Sequence, residues 1–512
     1  MGSTSAENNG TGDNSTTGVG RRALIKRSAA LGLVSVPAMS FLSACASGGG
    51  DGNSGDNEGK TSESNPFGVK EGSKLDVVIF KGGYGDDYAK AWEADFKKKR
   101  GVTSVHTGTQ EITGKLQPRF NAGNPPDIVD DSGAQQIPID VLHKNGQLLD
   151  LAEVLDAPSA DDPDVKVRDT LIPGTLDAGM QEGKLVALNY IYTVWGLWYS
   201  GKLFKEKGWE APKTWDDFLA ICKDAKAQGI GGLAHQGKFP YYINVAIMDL
   251  IAKKGGLDAM KAIDNLDPKA FVGSDAATEA IEAVYEVVEK GYLMPGTNGL
   301  THTESQTRWN QYKAAFITSG SWLENEQLKT TPDDFDMKFL PMPVLADSAL
   351  PFEAIRAGSG EPFIIPSKAK NLPAAKEFMR MMLSKEWSTI FAKEANSLTI
   401  LKDGVDRGVQ LRPGTQSTVE ASAAAGDNTF RFLYTEWYSE MGTAIENASN
   451  ELMAKRIQPR EWLKRAQAAV DKQAKDPASK KRVGVRLSQR HVDRVRRLLT
   501  VRRLLSFSRC RS

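Results

Sequence analysis

From Leu75 onward the chain alternates short apolar runs with longer stretches in which apolar residues return every three or four positions. Leu75-Asp76-Val77-Val78-Ile79-Phe80 predicts a short strand, Gly82-Gly83-Tyr84-Gly85 a turn, and Tyr88, Trp92 and Phe96 at spacing four a helix over 88–99. Strand, turn and helix in that order make an α/β unit. A second strand is predicted over 102–107 and a helix over 112–121. Pro125-Pro126 then forbids helix and delivers the chain into a strand over 127–130. Farther on, Thr214 and Ser274 have the residue type and position of helix N-caps. Thr214 has Asp217 three residues on, a capping box with Asp in place of Glu. Trp215, Phe218, Leu219 and Cys222 form one buried stripe, and Ala277, Ile281, Val284 and Val288 another, stopped by Gly291. Strands are predicted over 231–235, 313–319, 339–343 and 358–365, and an Asn371-capped helix over 373–383.

The densest apolar run is KLVALNYIYTVWGLWYS, 184–200, with Tyr190, Tyr192, Trp195, Trp198 and Tyr199 in a chain only 8% aromatic. It is too short to cross a membrane as a helix and is rich in β-formers. It predicts a strand that crosses between two lobes, because the roughly 400 residues of patterned chain exceed what one hydrophobic core organises.

Lys and Arg number 65 against 64 Asp and Glu, a formal net charge of +1. That balance hides an Arg-rich stretch from Lys480 on, so the patterned body is acidic, which argues against nucleic acid as its partner. The first turn lacks GxGxxG and no GxxxxGK[ST] occurs, so nucleotide binding has no support. Three cysteines and five histidines, scattered, supply neither a disulfide framework nor metal-ligand spacing, and no cofactor is expected. Cys222 falls on the apolar face of its helix and is expected to be inert core.

Residues 1–20 are Ser, Gly, Asn and Thr without hydrophobic pattern. Arg21-Arg22 then leads into a short apolar segment over 29–42, broken by Gly32 and Pro37 and ending in Leu42-Ser43-Ala44-Cys45. That ending resembles a bacterial lipobox, and the paired arginines resemble the export signal of folded proteins. The resemblance implies a signal peptide over 1–45, acylation at Cys45, and anchoring to the outer face of the cell membrane. A Gly, Ser, Asn and Asp-rich stretch over 46–73 is expected to be a flexible tether.

Four segments together resemble the extracellular sugar-binding proteins of bacterial ABC importers. They are AGNPPDIVDD (122–131), the crossing run followed by Pro212-Lys213-Thr214-Trp215, the 314–322 strand ending in Gly320-Ser321-Trp322, and IIPSKAKNLPAAKEFMRMML (364–383). The paired-arginine lead is most similar to the actinobacterial members that bind N-acetylglucosamine and N,N′-diacetylchitobiose. The resemblance implies a two-lobed periplasmic-binding-protein-like α/β fold of class II type, with the ligand cleft between lobes. Lobe one would span 74–193 plus 355–400, and lobe two 197–350 plus 405–476. The implied partners are a small-molecule sugar and membrane permease subunits, and the chain is expected to be a monomer without enzymatic activity. Carried onto this chain, the family's cleft indole falls on Trp322 and its late cleft aromatic on Trp437. The loop after strand one falls on Tyr84, and the polar end of the PDI strand on Asp130-Asp131. Glu361 follows Gly360, where many relatives have an aromatic or small residue.

A sugar has apolar C–H faces and a polar rim, so rings are needed to cover it and amides or carboxylates to bind it. Tyr84, Tyr192, Trp195, Tyr241, Trp322 and Trp437 are the candidate rings; Glu111, Asp131, Asn189, Gln236 and Glu361 are the candidate rim. The competing classes are a secreted glycosidase, with Asp131 and Glu361 as a carboxyl pair, and a surface lipoprotein without a transport role. The Arg-rich tail over 477–512 reads as an extension outside the fold or as a basic amphipathic helix.

Overall fold

The computed structural model describes residues 57–406, 408–477 and 479. The expected signal peptide, the lipidation site Cys45 and the tail from residue 480 lie outside the described residues. Twelve strands are described: β1 Lys74–Phe80, β2 Thr103–Thr109, β3 Ile128–Asp130, β4 Met180–Gln181, β5 Lys184–Leu185, β6 Leu188–Ser200, β7 Gly231–Ala234, β8 Ala314–Gly320, β9 Met337–Leu340, β10 Ile355–Ile364, β11 Leu398–Thr399 and β12 Thr429–Phe430. All but the β4–β5 pair join one sheet, whose main path runs β2-β1-β3-β10-β6-β8-β7. β1 pairs in parallel with β2 and β3 at one end, and β7 with β8 at the other. Between these parallel wings β6 and β10 run antiparallel, from Leu188 opposite Phe363 to Trp195 opposite Arg356.

β6 is therefore the crossing strand. Its first half pairs with β10 alongside the β1 wing, and from Trp195 opposite Gly320 onward it also pairs with β8. The predicted single run over 184–200 is broken in the structure, because Val186-Ala187 leaves the sheet and the Val186 amide donates to Gly179 O (3.0 Å). Other predicted strand bounds shift by up to three residues; the second strand is Thr103–Thr109, the third Ile128–Asp130, and those predicted over 339–343 and 358–365 are Met337–Leu340 and Ile355–Ile364.

Each wing carries its own core. Tyr88, Trp92 and Phe96 all point inward as their spacing predicted, each at most 1% exposed. Trp92 stacks on Trp387 with centroids 5.6 Å apart and planes 7° off parallel. This core draws on 69–191 and 363–401; the other large one, around Phe218, Ile247, Ile281, Phe316 and Trp462, draws on 197–354 and 430–470. Each such side chain, fully buried, contributes about 1.5–3 kcal/mol.

The tether expected to reach residue 73 ends earlier. Gly59 N donates to Gly68 O (2.7 Å), Val69 N to Asn65 Oδ1 (2.8 Å) and Asn57 Nδ2 to Lys370 O (3.0 Å). Asn65-Pro66-Phe67-Gly68 makes a turn, with the Asn side chain holding the backbone and Phe67 and Val69 packing on the first core.

Thr214 caps the helix Trp215–Ala227 as predicted, accepting from Asp217 N (3.2 Å). The Asp217 carboxylate accepts from the Thr214 hydroxyl (2.7 Å) rather than from its amide, being one methylene too short to reach back. A complete box forms at Thr301 and Glu304.

The segments 122–131 and 364–383 meet in one polar knot. Asp127 accepts from Asp76 N and Asn371 N (both 2.8 Å). Asn371 caps the helix Leu372–Met382 through Ala374 N (3.2 Å), and its Nδ2 donates to Lys74 O (2.8 Å) and Ser73 Oγ (3.1 Å). Asn371→Ala removes a cap and strands buried acceptors. It should lower stability by about 1–3 kcal/mol, read as a lower urea midpoint with an unchanged slope.

Candidate functional site

β8 is buried along its whole length and ends in Gly320, Ser321 and Trp322. Ser321 fixes this turn to the crossing strand: its amide donates to Val194 O (2.9 Å) and its hydroxyl accepts from Val194 N (3.3 Å). The Trp322 ring leaves no room for larger neighbours. A Cβ on Gly320 would lie 2.2 Å from the ring, and one on Gly83 2.9 Å from it. One carboxylate anchors the short helix that follows: Glu324 accepts from Gly414 N (2.8 Å) and Thr415 N (2.7 Å), at the start of the helix Pro413–Ala425.

Around Trp322 the two lobes contribute a single aromatic group. Its ring meets Trp195 of β6 edge-on, with centroids 4.3 Å apart at 82°; Tyr242 lies 6.3 Å away and Tyr84, from the loop after β1, 6.4 Å. Trp195 in turn meets Tyr241 at 5.1 Å and 84°. Tyr241 and Tyr242 open the helix Tyr241–Asp264. Trp322 and Tyr241 are half-buried, whereas Trp195 is 9% and Tyr84 6% exposed. Asn325 Nδ2 donates across the cleft to Gly83 O (2.8 Å).

Beside this group sits a pair of carboxyls. Asp130, at the end of β3, accepts from the Ser132 hydroxyl and from Tyr88 OH (3.2 Å), and hydrogen-bonds Glu361 of β10. Burial raises both carboxyls; the Asp130 charge pushes Glu361 up further, whereas the hydrogen bond from Glu361 favours the ionised form of Asp130. Glu361 is half-buried and has φ +55°, inside a strand that continues into Pro362. Its charge also reaches Tyr84, Tyr242 and Glu326.

The predicted site residues divide. Tyr84, Trp195, Tyr241 and Trp322 converge, with Glu361 next to them. Asp131 is corrected in favour of Asp130: neighbours in a strand face opposite ways, and Asp131 instead accepts from Ile137 N (2.9 Å), with burial raising it to about 8. Gln236 is fully buried at φ +63°; its amide nitrogen is bonded to Thr318 O at the end of β8, and its Oε1 has no hydrogen-bond partner. Asn189 is 5% exposed, within β6 opposite Pro362. Tyr192, three residues from Trp195, faces the other side of the sheet and packs with Val194 and Trp198. Glu111 is exposed at the start of the helix Ile112–Asn121, where its amide donates to Thr109 Oγ1 (3.1 Å). Trp437 is half-buried at the end of the helix Tyr434–Trp437, against Tyr438 (6.2 Å) and the second core. Its neighbour Glu436 bridges the lobes, accepting at its carbonyl from Gln181 Nε2 (3.1 Å).

Sequence reasoning passed over Arg356 and Tyr242. Arg356 is 6% exposed on β10, its guanidinium 5.9 Å from the Trp195 ring and 5.7 Å from Phe432, with Asp249 3.9 Å away. Arg356 is the one basic residue of β10, and that was the available signal. Two surface cavities, of about 290 and 480 Å³, are lined by other residues, Met294, Asn298 and Met453 in one and Phe120, Asn121 and Lys368 in the other. Among the described residues no three His, Cys, Asp or Glu side chains are placed to hold a metal ion, and no helix is long and apolar enough to cross a membrane.

The family model described as bacterial extracellular solute-binding protein matches residues 82–389. The chain is 36% identical over 421 residues to the diacetylchitobiose binding protein NgcE of Streptomyces coelicolor, covering 81% of this chain and 89% of that one. It is 26% identical over 388 residues to a maltooligosaccharide ABC transporter solute-binding lipoprotein of Streptococcus pneumoniae, covering 73% and 80%. Among solved structures, a chitin oligosaccharide binding protein superposes with TM-score 0.62 at 21% identity, covering 76% of this chain and 93% of that one. The raffinose complex of the solute-binding protein RafE also superposes at 0.62, with 18% identity and coverage of 78% and 99%. At these identities the structural likeness shows the fold: α/β and two-lobed.

Proposed function

This chain belongs to the bacterial extracellular solute-binding protein family, and from that premise we propose that it is the sugar-capturing subunit of an ABC importer. Its ligands are N-acetylglucosamine and N,N′-diacetylchitobiose. They are bound between the lobes, enclosed by closure about the β6–β10 crossing, and handed to permease subunits in the membrane. The observation that carries this reading is the aromatic group Tyr84, Trp195, Tyr241 and Trp322, drawn from both lobes and bordered by the Asp130–Glu361 carboxyls. Rings cover the C–H faces of a sugar, and carboxyls accept from its hydroxyls. The 36% identity to a diacetylchitobiose binding protein supports the choice of sugar. Export, acylation at Cys45 and a monomeric state belong to the same proposal. Substituting Cys45 by serine should release the protein from the membrane fraction.

The deciding test is calorimetric titration of the purified protein with N-acetylglucosamine, diacetylchitobiose, maltose and cellobiose in parallel. Binding of the first two alone is the expected result. A preference for maltose or cellobiose would discard the chitin-sugar assignment. The competing reading is a glycosidase, whose two carboxyls stand about 5–10 Å apart across the scissile bond. Release of monosaccharide from diacetylchitobiose would overturn the binding-only reading.

A further inference from the structure

Gln181 ends the short strand β4, and the two-residue turn Glu182-Gly183, with φ +50° and +83°, folds β5 back against it. Its side chain reaches the other lobe, where Nε2 donates to Glu436 O (3.1 Å) on the helix Tyr434–Trp437. The residue is 0% exposed, and its Oε1 is buried without a hydrogen-bond partner. Turning the amide over gives no relief, because Oε1 would then face the Glu436 carbonyl, acceptor against acceptor. Buried polar atoms are nearly always paired. Gln467, for comparison, accepts at Oε1 from Phe271 N (2.9 Å) and Val272 N (3.3 Å). Gln236 has a similarly stranded oxygen, but it bonds Thr318 within the second lobe, whereas Gln181 spans the two. Glu436 leads from this point toward the aromatic group. Its carboxylate pairs with Arg431 Nη2 (2.8 Å), and Arg431 Nη1 donates to Ser359 Oγ of β10 (2.9 Å). A guanidinium has five N–H donors and Arg431 is half-buried, so it keeps donors for a further acceptor. Tyr241, whose ring meets Trp195 at 5.1 Å, is close enough to feel the charges of Glu436 and Arg431. A stranded acceptor, spare donors and a ring face thus adjoin at the lobe boundary.

We propose that Gln181 selects for an acetamido group, its Oε1 accepting the acetamido N–H as the lobes close; this rests on the sugar-binding reading above. An acetamido group matches all three features at once: its N–H suits Gln181 Oε1, its carbonyl Arg431 and its methyl the Tyr241 face. A hydroxyl in the same place satisfies the first and leaves the other two. With the lobes apart, water solvates the Gln181 amide; closing on a ligand that lacks the donor buries its oxygen unpaired. That penalty falls on the closed state alone, so selectivity and closure are one event.

The test titrates the full protein with diacetylchitobiose and with its analogue in which both acetamides are 2-O-acetyl esters, which keep the carbonyl and methyl and lose the N–H. Wild type should bind the ester at least about tenfold more weakly, the effect of stranding a buried acceptor. Gln181→Met keeps the bulk of the side chain and removes the acceptor, so it should bind amide and ester within about threefold of each other. Gln181→Ala serves as the second variant should the first not fold, which a melting curve reports. Equal binding of amide and ester by wild type would overturn the proposal, and is the result expected if a water molecule satisfies Gln181 in every complex. Discrimination unchanged in both variants would overturn it as well. Tight binding of diacetylchitobiose alongside either result leaves the sugar-importer reading standing; no binding of either sugar would remove that reading and this proposal together.

Discussion

Trp322→Ala is expected to weaken sugar binding on the order of a hundredfold while the protein still folds. The indole sits where both lobes meet, edge-on to Trp195 at 4.3 Å and within 6.4 Å of Tyr84 and Tyr242. It is half-buried, so truncation opens onto the cleft rather than into a closed core. The turn that carries it remains tied by Ser321 to Val194 and by Glu324 to the helix Pro413–Ala425. The variant should therefore lose ligand contact, plus about 0.5–1.5 kcal/mol per edge-to-face pair, without losing the fold. Trp322→Phe should recover part of the affinity, since a smaller ring still covers a sugar face. Tyr192→Ala is the control, because that ring faces the other side of the sheet. Calorimetry with diacetylchitobiose, beside a melting curve, reads all three. An alanine variant within a few-fold of wild type would remove Trp322 from the site.

Arg356→Met is expected to cost about 3–5 kcal/mol above neutral pH and distinctly less near pH 6. Arg356 is the buried cation facing Asp249, Glu436 and Glu446, and its charge also reaches Asp264. Burial pushes Asp249, Asp264 and Glu446 each up to about 7. A raised carboxyl costs stability as pH climbs from its ordinary value to its folded one, and the cost is constant above that. Removing the guanidinium raises these folded values further. For these three groups the extra cost therefore opens only above about pH 7, where the wild-type groups ionise, and closes below, where both proteins hold the protons. What persists at lower pH is the lost packing of the guanidinium against Trp195 and Phe432 and its lost attraction for Glu436, which it helps to hold below the usual carboxylate range. Urea unfolding at about pH 6 and about pH 8.5 measures the difference. A deficit of equal size at both would show that the charge on Arg356 is not what holds this region.

Secondary structure and caps were legible because they depend on near neighbours. Spacing four put Tyr88, Trp92 and Phe96 on one face, and Thr214, Ser274 and Asn371 cap the helices they precede. The two-lobed α/β class followed from alternating strand and helix patterns over a length too great for one core. The crossing role of β6 followed from its density of aromatics. Four of the candidate rings, Tyr84, Trp195, Tyr241 and Trp322, do meet.

The rim was legible only in part, and the reason is geometric. Whether Asp130 or Asp131 faces the cleft depends on the phase of β3 against β10, set by Phe363 lying opposite Asp130. Tyr192 and Trp195 share a run of residues, but an odd spacing in a strand sends them to opposite sides. Gln236 has the chemistry of a sugar ligand, yet its backbone turns at positive φ and its amide nitrogen is taken by Thr318. Arg356 lies over a hundred residues from Asp249, and only the packing of β10 on the helix Tyr241–Asp264 brings the two charges together. Local pattern determined which elements form and which side chains are chemically fit for a sugar. Which of those side chains share one solvent-shielded corner was decided by strand register and lobe packing, since contacts between residues far apart in the chain leave no periodic trace in it.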